Sequence, residues 1–349
     1  MANQAPRVGL AGAVVVTSIA EPNAALRALA QGCAEAGYGF YVIGDVPSPP
    51  DFRIDHCRFV PLAEQEQSGW KLAELLPKRH YARKNLGYLI AMAAASPVIV
   101  ETDDDNLPKP AFWRQRRREA RARVVESQGW VNVYALFSSA MIWPRGLPLD
   151  EIRKPQPEPG SLTEAGIRCP IQQGLVDGDP DVDAVYRLLF PLPGEFRAGF
   201  SVALKPGAWC PFNSQNTTWF PEAYPLMYLP SFCTFRMTDI WRSFVAQRIA
   251  WENGWPLLFH EADLFQERNV HNLMRDFQDE VPGYLNNRRI CEELQRVSLR
   301  PGTDRLGENL LICYEALVRT GVIEKPELGL VQAWTEDVER AAASFPAAP

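Results

Sequence analysis

Short apolar runs alternate with amphipathic stretches through the first hundred residues of the chain. Ala13-Val14-Val15-Val16-Thr17-Ser18-Ile19 is β-branched and too short for a buried helix, so it predicts a strand. Helical spacing follows from about Asn23 to Ala36, and Phe40-Tyr41-Val42-Ile43-Gly44-Asp45 predicts a second strand, which completes a βαβ unit. A helix over Lys78 to Ser96, opened by Pro77, leads into the strand Pro97-Val98-Ile99-Val100-Glu101-Thr102. The arginine-rich stretch from Trp113 to Arg123 predicts one further helix. Between about Gly146 and Pro230 proline and glycine are frequent and no helical period survives, which predicts loops draped over a sheet edge rather than an independent domain. Beyond Pro230 a long helix spans Met237 to Asn253, capped by Thr238 or Asp239. A strand over Pro256 to His260 follows, then helices to about Ala343 and a frayed tail from Ala341 to Pro349.

This order predicts an α/β protein with a Rossmann-type nucleotide-binding sheet, helices on both faces and a helical carboxyl-terminal extension. One unit over residues 8–290 accounts for the sheet, with a nucleotide-binding half over about 8–145 and an acceptor and sugar half over about 146–290. Residues 291–349 form the extension and tail.

The chemistry concentrates where Asp103-Asp104-Asp105 follows the third strand. In open α/β sheets the ligand crevice lies beyond the carboxyl ends of the strands. Alternate residues of an extended segment point the same way, so Asp103 and Asp105 share one ligand while Asp104 turns from it. Hard carboxylate oxygens suit Mg²⁺ or Mn²⁺, with water and phosphate oxygens completing the coordination. Thr17, Ser18 and Asp45 end the first two strands on the same edge, where a nucleotide would lie. Arg83 and Lys84 are expected to pair with phosphate, and Asn85 to bond a base or ribose. The amide-rich run Pro211-Phe212-Asn213-Ser214-Gln215-Asn216-Thr217-Thr218-Trp219 is flanked by aromatics, as a sugar's paired hydroxyls and apolar face require. Asn213, Gln215, Asn216 and Thr217, with Arg236 downstream, are the substrate-binding candidates. His271 is a candidate third metal ligand and Arg268 a further phosphate partner.

Composition removes several alternatives. With 36 basic and 42 acidic residues the net charge is −6, which gives no general affinity for nucleic acid. The exception is the cluster Arg114, Arg116, Arg117, Arg118, Arg121 and Arg123, which suits an anionic partner such as a lipid headgroup. No apolar run reaches membrane-span length and the amino terminus lacks a signal-peptide pattern. Seven cysteines without a Cys-x-x-Cys pair argue against a zinc site or a disulfide framework. A cytoplasmic location is the expectation, with peripheral contact at the inner membrane face. Nothing in the chain fixes an oligomeric state. No Gly-x-Gly-x-x-Gly follows the first strand and no P-loop occurs, so dinucleotide and P-loop chemistry lose their support.

Lys84-Asn85-Leu86-Gly87-Tyr88, then Glu101-Thr102-Asp103-Asp104-Asp105-Asn106, resembles the STELLO-type glycosyltransferases, with a GT-A-like plan. Asp239-Ile240-Trp241-Arg242 and Arg268-Asn269-Val270-His271-Asn272-Leu273 are similar to that group too, so the resemblance spans roughly residues 12 to 290. The resemblance implies a nucleotide-sugar donor, a UDP-sugar by preference, bound through Mn²⁺ or Mg²⁺ at Asp103 and Asp105, and a carbohydrate or lipid-linked acceptor, as in surface polysaccharide or glycolipid synthesis. Asp239 is then the expected catalytic base, with Asp181 and Asp183 as the other carboxylates in play. A more distant likeness, through the Asp triplet and the run Gly174 to Ala184, is to the reversibly glycosylated polypeptides, which act as UDP-arabinopyranose mutases. Mutase chemistry and non-catalytic nucleotide-sugar binding are the alternatives.

Overall fold

The computed structural model describes residues 10–192, 194–267 and 272–343. Among these residues thirteen strands follow in chain order: β1 (Gly12–Thr17), β2 (Tyr38–Ile43), β3 (Arg58–Val60), β4 (Ile99–Thr102), β5 (Asn106–Pro108), β6 (Glu119–Val125), β7 (Gly129–Trp130), β8 (Glu164–Arg168), β9 (Ile171–Gly178), β10 (Ser201–Leu204), β11 (Ala208–Trp209), β12 (Asn216–Trp219) and β13 (Leu257–Gln266). The helices are α1 (Ala24–Ala36), α2 (Leu62–Glu66), α3 (Lys71–Leu75), α4 (Lys84–Ala93), α5 (Val133–Phe137), α6 (Ala184–Leu189), α7 (Thr238–Glu252), α8 (Leu273–Arg296), α9 (Leu306–Arg319) and α10 (Glu327–Ala342).

Eleven strands make one mixed sheet in the order β3-β2-β1-β4-β12-β9-β13-β10-β6-β8, with β5 paired to β13. The first four are parallel, with Thr17 beside Ile43 and Val15 beside Glu101, and reproduce the 3-2-1-4 order of doubly wound nucleotide-binding sheets. Strand alternation divides the core. Val14 and Val16 pack with Leu26, Leu29 and Cys33 of α1, whereas Ala13 and Val15 pack with Leu86 and Leu89 of α4. Asn23 caps α1 by accepting from the Leu26 amide at 2.9 Å, and Gly37 ends it at φ 74°. Gly87 lets α4 lie close on the sheet, since a Cβ there would come within 2.5 Å of Val15. The expected α/β class with helices on both faces is what the chain adopts.

Three expectations change. The arginine-rich stretch is no helix: residues 114–118 are irregular and Glu119–Val125 is β6, whose pleat alternates Arg121 and Arg123 with the buried Ala122 and Val124. The middle segment supplies β8 to β12, and β9 lies inside the sheet rather than over its edge. Its polar letters hide it: buried Gln172 donates to the carbonyls of Arg117 and Cys169, and Gln173 bonds Asn213, Asn216 and Thr217. The helix read from Lys78 begins as a regular α-helix only at Lys84.

The expected halves also interleave, because β6 lies between β10 and β8. The boundary at 290/291 falls inside α8, and α9 and α10 share one core with α4 and α7. Two carboxylates of α10 hold distant backbone. Buried Glu327 accepts from the amides of Ser231 and Phe232 and the hydroxyl of Tyr228, and Asp337 caps α3 by accepting from Lys71 and Leu72. No helix of the described residues is long and apolar enough to cross a membrane.

Candidate active site

The carboxyl ends of β1, β2 and β4 open onto a cleft of about 560 Å³, within the range of small-molecule sites. Thr17, Ser18, Asp45 and the whole triplet Asp103, Asp104 and Asp105 line it. Asp104 does not turn from the ligand crevice. Its carboxylate accepts from the Ser18 hydroxyl at 2.5 Å and its carbonyl from Asn23 at 2.8 Å, which ties the triplet to the end of β1. Burial pushes the Asp104 carboxyl above its ordinary range, partly offset by that Ser18 bond. Asp103 Oδ1 accepts from the Tyr81 hydroxyl at 2.8 Å and from Lys84 Nζ at 3.2 Å, while 31% of the Asp103 side chain stays exposed. Asp45 accepts from the His80 amide at 2.8 Å and so fixes the segment that leads to Tyr81.

A smaller chamber of about 80 Å³ shares Tyr81, Asp103, Phe235 and Arg236 with the cleft. Arg145 lies in its wall between two carboxylates. Nε and Nη2 each donate to Asp181 at 2.8 Å, Nη1 and Nη2 donate to Asp239 at 3.1 and 3.0 Å, and Nη1 also donates to the Arg236 carbonyl. All five donors of the guanidinium are thereby engaged. Burial opposes its charge, but Asp181 and Asp239 hold Arg145 well above its ordinary range. Asp239, in the first turn of α7, also accepts from the Ser214 amide at 3.2 Å, the Ser214 hydroxyl at 3.3 Å and the Ile240 amide at 3.0 Å. Ser214 in turn meets the Tyr81 hydroxyl at 2.6 Å, so one chain of hydrogen bonds joins Asp103 to Asp239.

Several expected site residues stand elsewhere. Lys84 is fully buried, its ammonium enclosed by Tyr81, the Thr102 and Ser214 carbonyls and Asp103, so it steadies the triplet instead of meeting phosphate. Arg83 borders the cleft, but it is buried and donates to Gln65 at 2.7 Å and to the Leu76 and Pro77 carbonyls. Asn85 is buried against the Leu229 backbone and reaches no cleft. Asn216 and Thr217 are interior residues of β12, bonded to Asp263 and to the Asn213 carbonyl. Asn213 donates to Asp181 at 2.9 Å, one layer behind the chamber, whereas Gln215 lines it. Arg236 borders both cavities with its guanidinium held by Glu280 at 2.6 and 2.9 Å. Arg268 and His271 lie outside the described residues.

Asp183 is a helix cap, not a cleft carboxylate. It accepts from the Tyr186 amide at 2.8 Å and from the Trp143 indole at 2.7 Å. Burial pushes its carboxyl up to about 7. In the unfolded chain the group titrates near 3.8, so the folded state binds more protons between these values and stability falls as pH rises through them, by up to about 4 kcal/mol. Asp183→Asn therefore gains on wild type between pH 5 and pH 8, read as the difference in denaturation midpoints.

The sequence assigned no role to Arg145, Tyr81 or Ser214. Arg145 sits in Trp143-Pro144-Arg145-Gly146, which reads as a turn, and its two partners lie 36 and 94 residues away. Among the described residues no three His, Cys, Asp or Glu side chains converge as a metal centre. The triplet nonetheless fits an ion such as Mg²⁺, which keeps several waters and takes only one or two carboxylates beside substrate phosphates.

Fold and cleft together define a Rossmann-like α/β protein, and its sequence is similar to proteins described as glycosyltransferases. Residues 236–348 match the family model of the STELLO glycosyltransferases. The chain is also 26% identical over 344 residues to the Arabidopsis thaliana protein named "Probable glycosyltransferase STELLO2", covering 93% of this chain and 44% of that one. Its counterpart "Probable glycosyltransferase STELLO1" is 26% identical over 356 residues, with the same coverage. The chain resembles the STELLO glycosyltransferases in these matches as in its motifs, and it spans less than half the length of these relatives. A solved structure described as a mycobacterial protein superposes with a TM-score of 0.37 at 12% identity, covering 79% of this chain and 74% of that one.

Proposed function

We propose that the protein transfers a sugar from a nucleotide-sugar donor, a UDP-sugar by preference, to a carbohydrate or lipid-linked acceptor. The observation that carries this reading is the cleft at the strand ends, walled by the Asp triplet and adjoining a chamber that holds Asp181, Arg145 and Asp239. Departure of the nucleoside diphosphate builds positive charge at the anomeric carbon and negative charge on the leaving group. A Mn²⁺ or Mg²⁺ ion held by Asp103 and Asp105 would offset the latter. Three carboxylates, Asp103, Asp181 and Asp239, and two guanidiniums, Arg145 and Arg236, leave the chamber wall with one net negative charge, placed to favour the developing oxocarbenium ion. That is a different role for Asp239 from the base expected from the sequence. Its two oxygens already accept five hydrogen bonds, so both are committed to donors of the chamber wall.

The test supplies UDP-sugars and Mn²⁺ with and without candidate acceptors and measures release of nucleoside diphosphate. Acceptor-dependent release is expected. Interconversion of sugar ring forms with donor alone would make the protein a mutase, and no binding of any nucleotide would sink both.

A further inference from the structure

We propose that Arg79 is the anion receptor of the cleft, binding phosphate oxygens of the ligand; the inference rests on the reading of this cleft as a nucleotide site. The wall is acidic, with Asp45, Asp103, Asp104 and Asp105 all facing the cleft, so a diphosphate needs an opposing cation. Among the described residues three arginines line the cleft: Arg79, Arg83 and Arg236. Arg236 is held by Glu280, and Arg83 is buried against Gln65 and two carbonyls. Arg79 is exposed and, among the described residues, its guanidinium has no hydrogen-bond or ion-pair partner. Its backbone supplies a second, independent observation. Arg79 adopts φ 57°, a left-handed conformation that disfavours a Cβ, and of the three non-glycine residues with positive φ among the described residues it alone lines the cleft.

The strain is fixed from the carboxyl side. The His80 amide donates to Asp45 at 2.8 Å, and His80 Nδ1 accepts from the Ala82 amide at 3.0 Å, so the chain cannot relax at 79 without releasing both. A pinned, strained backbone that presents an unpaired planar fork suits bidentate phosphate recognition.

The test is calorimetric titration of UDP, uridine and inorganic pyrophosphate, with Mn²⁺, into wild type, Arg79→Ala, Arg79→Lys and Arg79→Gly. Arg79→Ala is expected to weaken UDP and pyrophosphate about tenfold or more and to leave uridine unchanged. Arg79→Lys should keep part of the affinity. Arg79→Gly, which removes the strain as well, should match Arg79→Ala and so assign the loss to the guanidinium. UDP binding that is unchanged in Arg79→Ala overturns the inference and leaves the nucleotide reading standing, as does an equal loss for uridine. Arg79-dependent pyrophosphate binding without any nucleotide binding would keep the inference and sink that reading.

Discussion

Arg145→Met is expected to destabilise the protein by about 3–5 kcal/mol, the usual consequence of removing one partner from a buried ionic cluster. Asp181 and Asp239 would face each other without the guanidinium, and both are nearly excluded from solvent. The Arg236 carbonyl would lose its donor as well. Arg145→Lys preserves the charge, but three ammonium donors cannot replace five in a planar fork, so an intermediate loss is expected. If the carboxylates are the cause, Arg145→Met combined with Asp181→Asn and Asp239→Asn recovers part of the stability. Chemical denaturation midpoints of the four proteins decide this. An Arg145→Met protein as stable as wild type would show that the cluster relaxes into water.

Asp103→Asn is expected to abolish cation-dependent nucleotide binding. Asparagine keeps an acceptor for Tyr81, but it removes a charge that a divalent ion needs and the counter-charge of the enclosed Lys84. At ligand a hundredfold above its dissociation constant, wild type gains about 2.7 kcal/mol of apparent stability. The variant should show none of that gain in a thermal-shift titration of nucleoside diphosphate with Mn²⁺. A full shift in the variant would remove Asp103 from the site, whatever the fate of Asp105.

The parallel half of the sheet was legible because β1, β2 and β4 are apolar runs whose faces are both covered, so periodicity and composition agreed. β9 was not, because its buried glutamines are satisfied by carbonyls and amides that come from elsewhere in the chain. The same cause hid half of the site. Position along the chain showed that Asp103 to Asp105 end a strand, and the cleft is there. It could not show that Lys84 and Asn85, next in sequence to the cleft residue Arg83, face inward, nor that Arg145 meets Asp181 and Asp239. Single-sequence patterns carry local geometry, whereas the chamber is built by contacts across 22 to 133 residues.

Glu327 has a bearing on how the protein is made. It fastens the Tyr228 to Phe232 segment, which runs on into Phe235 and Arg236 at the cleft, yet it is synthesised roughly a hundred residues later. A ribosome emits about 5–20 residues per second, so for some seconds the emerging polypeptide has its Asp triplet and parallel strands but no carboxylate to fasten that wall. Ligand capture by the nascent protein should therefore begin only once α10 has left the exit tunnel, which makes the cleft a late product of translation although most of its residues come early.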